Sequence, residues 1–108
     1  MNFSEHQERA RTTAIYREKV DGHLAQAYPI LGLSGEVGEL ANKFKKVLRD
    51  GAELDLNDLA GELGDILWYL ALVIDEFDLR MEHVAQKNLS KLQSRQERGV
   101  IGGSGDNR

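Results

Sequence analysis

The chain has 108 residues, of which 41% are apolar and 30% are charged, and its formal net charge is −4. This length predicts one domain with one core, and the acidic balance argues against a general nucleic-acid-binding protein. The absence of cysteine excludes disulfides and thiolate metal sites. No apolar run reaches the roughly 18–20 residues of a membrane span, and polar residues rather than a signal peptide follow Met1, so we expect a cytoplasmic protein.

Four helices are predicted, and they indicate an all-α, four-helix-bundle-like core. The first runs over about Ser4–Val20, with Ser4 as its N-cap and Asp21-Gly22 as its end. The second runs over about Pro29–Arg49, because proline suits the first turn of a helix and Asp50-Gly51 can end it.

A connection at about residues 52–56 leads to the third predicted helix. Asp55 or Asn57 caps this helix, which runs to about Phe77. The fourth helix covers about residues 79–98.

The chain contains no linker long enough to divide it into domains. We therefore assign residues 1–98 to a single all-α domain. The remaining ten residues, GVIGGSGDNR at 99–108, are rich in glycine and are expected to form a flexible tail.

One eight-residue phrase occurs twice, as LSGEVGEL at residues 33–40 and as LAGELGDI at residues 59–66. In each copy two carboxylates lie three residues apart, and therefore on one face of a helix. Antiparallel helices that pack through their apolar stripes bring equivalent flanks together, so we expect the acids of both copies to converge on one cleft edge. These acids are Glu36, Glu39, Glu62 and Asp65.

For the acids to converge, the connection between the second and third helices must run some distance along the helix axis before the third helix begins. Glu36 lies about 12 Å farther from the end of its helix than Glu62 lies from the start of the next one. Residues 50–56 must bridge this difference for the two acidic pairs to meet.

The repeated phrase also carries four glycines, Gly35, Gly38, Gly61 and Gly64. A glycine inside a helix costs about 1 kcal/mol relative to alanine, and close approach of a neighbouring helix would account for it. The glycines of the third helix share a face with Trp68, so this face predicts a contact with another subunit or with the first helix. We expect the protein to be an oligomer.

Four converging carboxylates are suited to a hard divalent cation. Mg²⁺ and Mn²⁺ take oxygen ligands and commonly bind a few carboxylates together with substrate phosphates. The calcium-loop spacing of EF-hands, clustered His for zinc and the Glu-x-x-His pattern of di-iron bundles are all absent. A single ExxE is usually a solvated helix face, so the residues alone leave open a metal site and a solvated acidic surface.

The segments GLSGEVGELANKFKK and LAGELGDILWYLA resemble the ExxE and ExxD motifs of the MazG-type nucleotide pyrophosphohydrolases, the all-α NTP-pyrophosphatase superfamily. The resemblance continues into NLSKLQSRQERG and covers about residues 28–99. It implies a homodimer or homotetramer built on a four-helix core. The expectation that nucleic acids and membranes are not partners rests instead on the net charge and on the lack of a membrane-spanning run. The resemblance also implies hydrolysis of nucleoside triphosphates to a monophosphate and pyrophosphate, with Mg²⁺ and sometimes Mn²⁺ as cofactor.

The resemblance further implies roles for individual residues. All four acids of the repeated phrase become metal ligands, and Glu39 and Glu62 become the catalytic residues. One of the four, with Glu39 as the candidate, also orients or deprotonates the attacking water. A basic row on the following helix is expected to bind the phosphates: Lys87, Lys91 and Arg95. Weaker candidates for contacting the substrate are Asn88, Trp68 and Tyr69, and the two aromatic residues have core or interface packing as an alternative role.

Three functions stay open at this point. The first is a Mg²⁺-dependent nucleoside triphosphate pyrophosphohydrolase that acts on NTPs, dNTPs or non-canonical nucleotides as a house-cleaning enzyme. The second is a non-catalytic helical module that binds metal or nucleotide as a regulator or interaction partner. The third, a purely structural bundle, leaves the repeated acidic phrase without a purpose.

Overall fold

The structure is a computed structural model that describes residues 1–108, and it contains only helices. The elements in chain order are α1 (Phe3–Arg11), a 3₁₀ helix (Ile15–Glu18), α2 (Gly22–Asp50), α3 (Leu56–Glu76) and α4 (Met81–Glu97). The predicted all-α class is therefore confirmed. None of these helices combines the length and the apolar character that crossing a membrane requires.

The first helix is shorter than the sequence predicted. Asn2, not Ser4, is the N-cap, and its side chain accepts a hydrogen bond from a backbone amide of the first turn. The helix ends at Arg11 rather than Val20. The hydroxyl groups of the Thr12-Thr13 pair donate to backbone carbonyls three residues earlier, at 2.6 and 3.2 Å. Such local bonds compete with helical ones, which accounts for the early end.

The second helix begins seven residues before Pro29, at Gly22, and so the predicted start was wrong. Proline inside a helix removes one backbone hydrogen bond and is normally confined to the first turn. Here Pro29 is fully buried, and Ala25 one turn earlier is buried as well. Packing of this segment therefore stabilises two additional turns that local propensity did not indicate.

The other helix ends lie close to their predicted positions. Gly51 follows α2 in the left-handed conformation with φ of 67° and bonds back to the Val47 carbonyl, as a helix-ending glycine does. Asp55 caps α3 by accepting hydrogen bonds from the amides of Asn57 and Asp58 at 2.9 and 3.3 Å.

Helices α2 and α3 form an antiparallel hairpin. Lys43 on α2 pairs with Asp58 on α3 near the closed end, and Gly32 meets Tyr69 farther up. Lys43 lies seven residues before the end of α2, whereas Asp58 lies two residues after the start of α3. This difference of five residues corresponds to about 8 Å along the helix axis. The connection at 51–55 therefore spans such an offset, as convergence of the acids requires.

At Gly32 the Tyr69 ring occupies the space that a Cβ would fill, so glycine lets Tyr69 pack against α2. The four glycines of the repeated phrase behave differently, because an added Cβ at any of them would meet nothing within 4 Å. Of the two contacts predicted for the glycine face of α3, the one with the first helix is therefore not made at the glycines, and the one with another subunit stays a prediction. The four glycines face open space on the surface of the single chain.

The core surrounds the second half of α3, where α1, the 3₁₀ helix and the first turns of α2 and α4 meet. It consists of small and medium-sized side chains: Ala10, Ala14, Tyr16, Ala25, Ala71, Leu72, Ile74 and Met81. The repeated acidic phrase lies on the first half of α3 and the facing part of α2, beyond this core. The core thus fixes one end of the hairpin and leaves the acidic end accessible.

Candidate functional site

Three acids of the repeated phrase converge between α2 and α3. Carboxylate oxygens of Glu36, Glu62 and Asp65 lie within 4.8 Å of one another. Glu36 comes from α2, whereas the other two lie one turn apart on α3, so the antiparallel hairpin brings them face to face. Ligands of one Mg²⁺ ion, each about 2.1 Å from the metal, lie at most about 4.2 Å apart. Small side-chain rotations would therefore bring the three carboxylates to metal-binding distances.

Glu39 is exposed and stands outside this group of three. It lies one turn beyond Glu36 on α2, and its carboxyl group contributes to the raised pKa of that residue. Glu39 therefore borders the cluster from the solvent side.

Electrostatics at the cluster favour a cation. Partial burial and the neighbouring carboxyl groups of Glu39, Glu62 and Asp65 raise the pKa of Glu36 to about 7. The Oε2 atoms of Glu36 and Glu62 are buried and have no hydrogen-bond donor. Buried acceptors normally have a partner, and a divalent cation with oxygen ligands would supply one to both atoms. The residues present therefore fit a metal ion of this kind.

Lys43 is an additional member of the site that the sequence analysis missed. Its Nζ donates to Glu62 Oε1 at 2.8 Å and to the two carboxylate oxygens of Asp58 at 3.0 and 2.9 Å. Hydrogen bonds to Glu62 and Asp58 raise the pKa of Lys43, which keeps the ammonium charged. The sequence did contain a pattern that could have indicated Lys43. Glu39 and Lys43, like Asp58 and Glu62, are four residues apart, and this spacing places each pair on one helix face.

The two adjacent aromatic residues of α3 have different surroundings. Burial and the charges of Tyr28, Glu36 and Asp65 raise the pKa of Tyr69. Trp68 packs against the core, and its Nε1 donates to Thr13 Oγ1 at 2.8 Å. Trp68 therefore contacts the segment that follows α1. A role of either residue in substrate binding stays a prediction.

The basic row of α4 is engaged by the C-terminal tail. Lys91 Nζ and Arg95 Nη2 donate to Asp106 Oδ1 at 3.0 and 3.1 Å, and Arg95 also donates to the Asp106 backbone carbonyl at 2.7 Å. Arg95 is buried, whereas Lys87 and Asn88 are exposed. No hydrogen bond or ion pair joins these four α4 residues to the acidic cluster within the chain, so their predicted roles stay predictions, as does the flexibility of the tail.

Comparison with known proteins identifies the family. Residues 27–100, which contain the α2–α3 hairpin from Ala27 onward and all of α4, match the family model described as the MazG nucleotide pyrophosphohydrolase domain. The chain is also 46% identical over 114 residues to the Gene 37 protein of Mycobacterium phage L5, and the alignment covers 100% of both proteins. No solved structure matches the chain. Because the family match spans well over half of the residues, the resemblance seen in the motifs is confirmed, and the chain belongs to the MazG nucleotide pyrophosphohydrolase domain family.

Proposed function

We propose that this protein is a Mg²⁺-dependent nucleoside triphosphate pyrophosphohydrolase that converts NTPs or dNTPs, including non-canonical ones, to the monophosphate and pyrophosphate. Membership of the MazG family supports a pyrophosphohydrolase activity in general. The observation that carries the proposal is the convergence of Glu36, Glu62 and Asp65, with two buried carboxylate oxygens that lack a protein donor. Mg²⁺ is the proposed ion because it takes oxygen ligands and is commonly shared with substrate phosphates, and Mn²⁺ is the proposed substitute.

The carboxylates have distinct tasks in this proposal. Glu36, Glu62 and Asp65 would hold the metal, and Glu39 is proposed as a further ligand on the solvent side. A divalent ion at this position supplies charge neutralisation of the phosphates and a lowered pKa of bound water. Glu39 is the exposed carboxylate beside the cluster, so we assign it to orient the attacking water and to accept its proton.

The substrate phosphates are proposed to bind the basic row of α4, consisting of Lys87, Lys91 and Arg95. Phosphoryl chemistry depends mainly on positioning and charge neutralisation, and cations on the departing pyrophosphate provide both. In the structure the carboxylate of Asp106 already forms ion pairs with Lys91 and Arg95. A triphosphate that uses these two residues must therefore displace Asp106.

Replacing Asp106 with asparagine is expected to lower the KM for the triphosphate about two- to tenfold while leaving kcat unchanged. The variant removes a competing negative charge from Lys91 and Arg95. Asp106 itself is 82% exposed, and ion pairs made by a solvent-exposed group contribute about 0.2–1 kcal/mol each. Steady-state kinetics with pyrophosphate release as the readout measures the effect. Asp21→Asn is the matched control because Asp21 is exposed and forms no ion pair. An unchanged KM in Asp106→Asn would argue against phosphate binding by Lys91 and Arg95.

We also propose that the protein is a homodimer or homotetramer. Only 11 of 108 residues are buried, and several large apolar side chains of α2 and α3 are exposed. An apolar pocket of about 440 Å³ lies on the hairpin, lined by Val37, Leu40, Ala41, Phe44, Leu54 and Leu59. The four glycines of the repeated phrase also face open space, where a second chain can approach closely. Light scattering tests this proposal, and a monomer at micromolar concentration would contradict it.

The proposed activity is tested with a panel of canonical and modified NTPs and dNTPs. Pyrophosphate release is measured for each substrate with Mg²⁺, with Mn²⁺ and with EDTA. We expect release from at least one triphosphate in the presence of a divalent ion and none in EDTA. Metal binding without turnover on any triphosphate would instead favour a non-catalytic module that binds metal or nucleotide.

A further inference from the structure

We propose that Lys43 is a positioning residue that orients Glu62 for metal binding, an inference that rests on the metal site of the proposed function. Lys43 Nζ holds Glu62 Oε1 at 2.8 Å. The second oxygen of the same carboxylate, Oε2, is buried and has no donor. One oxygen of the Glu62 carboxylate is therefore bound by Lys43, and the other is left free to bind a cation.

The ammonium of Lys43 is itself fixed from α3. It has three hydrogens to donate, and the structure shows three acceptors: one oxygen of Glu62 and two of Asp58. Asp58 and Glu62 lie four residues apart on α3, whereas Lys43 reaches across from α2. This bridge ties the two helices together at the edge of the acidic cluster, because Glu62 belongs to both.

Lys43 is also the one cation that contacts the acids of the repeated phrase. No other Lys or Arg side chain lies within 4.0 Å of a carboxylate oxygen of Glu36, Glu39, Glu62 or Asp65. Without Lys43, the side chain of Glu62 would face the carboxyl groups of Glu36 and Asp65 and would be pushed away from them by like-charge repulsion. Lys43 therefore keeps Glu62 inside the cluster before the metal arrives.

Two effects of opposite sign act on the metal. The positive charge of Lys43 repels a divalent cation, whereas the hydrogen bond to Glu62 holds a ligand in place. Residues that hold a metal ligand through a hydrogen bond typically change metal affinity or activity 10- to 100-fold when they are replaced. The ammonium charge is already offset by Asp58 as well as by Glu62, so orientation dominates and Lys43 strengthens metal binding.

The experiment measures metal binding by the full-length protein without substrate. Mn²⁺ is titrated and followed by electron paramagnetic resonance, and Mg²⁺ is titrated by calorimetry. In Lys43→Met we expect the dissociation constant to rise about tenfold or more. In Lys43→Arg, which keeps donors for both carboxylates, we expect a value between those of Lys43→Met and the wild type. Asp58→Asn is expected to cause a smaller rise because it loosens Lys43 without removing it.

Lys45→Met is the matched control, because Lys45 is exposed on the same helix and forms no ion pair. It removes one positive charge two residues from Lys43 in the sequence and is expected to leave metal affinity unchanged. If Lys43→Met binds metal as tightly as the wild type, or more tightly, the positioning role is overturned while the metal site stands. A wild-type protein that binds neither ion would instead overturn the metal site itself, and the positioning role with it.

Discussion

Replacing Glu62 with glutamine is expected to lower kcat/KM for pyrophosphate release by at least about 100-fold. Glutamine keeps the volume of the side chain but replaces the carboxylate, whose Oε2 is buried and free of protein donors, with a neutral amide. Loss of a residue that merely supports a metal ligand typically costs 10- to 100-fold, so loss of a ligand should cost at least as much. The measurement is pyrophosphate release from the preferred triphosphate over a range of Mg²⁺ concentrations.

The loss of activity is expected without unfolding. Glu36, Glu39 and Asp65 gain relief from repulsion when the charge of Glu62 is removed, and Lys43 retains Asp58 as a partner. Thermal unfolding should therefore show a Tm close to that of the wild type. Glu53→Gln is the matched control, because Glu53 lies exposed in the connection between α2 and α3 and should retain full activity. More than a tenth of wild-type activity in Glu62→Gln would contradict the assignment of Glu62 as a metal ligand.

The convergence of acids from two helices could be predicted because it follows from periodicity. Glu62 and Asp65 share a helix face at any helix length, and the matching offset of Glu36 from its own apolar stripe requires only that the helices pack antiparallel. The position of Glu39 outside the closest group depends on the register of the hairpin. That register is set by how far the connection at 51–55 runs along the helix axis, and no local sequence pattern specifies this distance.

Contacts across the hairpin could not be predicted for the same reason. The bridge from Lys43 to Asp58 and Glu62 joins residues 15 and 19 positions apart in sequence. The close approach of Gly32 to Tyr69 likewise depends on which turns of the two helices face each other. Spacing within one helix identifies a face, but the partner of that face is decided by packing.

The N-terminal region shows where packing overrides local propensity. Pro29 has the local character of a helix start, yet α2 begins at Gly22 because Ala25 and Pro29 are buried in the core. The Thr12-Thr13 pair ended α1 earlier than apolar periodicity indicated. Helix propensity contributes only a small free energy per residue. The free energy gained by burying even two or three apolar side chains can exceed the sum of these contributions.

A second large effect, on stability rather than on catalysis, is expected at Asp75. Its side chain is only 10% exposed and accepts hydrogen bonds from Arg11 at 2.6 Å, Arg17 at 2.9 Å and Gln7 at 3.1 Å. These bonds tie α3 to α1 and to the 3₁₀ helix beside the core. Breaking a buried ion pair costs about 3–5 kcal/mol, and partial exposure of the two arginines reduces this figure. We expect Asp75→Asn to lower the free energy of unfolding by about 2–3 kcal/mol.

The pH dependence of stability provides an independent check. Burial disfavours the charged form of Asp75, but hydrogen bonds from Arg17, Arg11 and Gln7 outweigh burial and lower its pKa. A carboxyl group whose pKa is lower in the folded state contributes stability above its unfolded pKa of about 3.9 and loses it as the pH falls towards the folded value. Urea denaturation should therefore show a steeper loss of stability below pH 4 in the wild type than in Asp75→Asn.

The matched control for Asp75 lies three residues farther along the chain. Asp78 is exposed, forms no ion pair and has a φ of 56°, a conformation that asparagine adopts readily. Asp78→Asn should therefore leave stability nearly unchanged, although it removes the same charge. Equal destabilisation by both variants would mean that net charge, rather than the bonds from Arg11 and Arg17, sets the stability of this region. Because the acidic cluster lies on the other half of α3, folded Asp75→Asn should still bind metal with wild-type affinity.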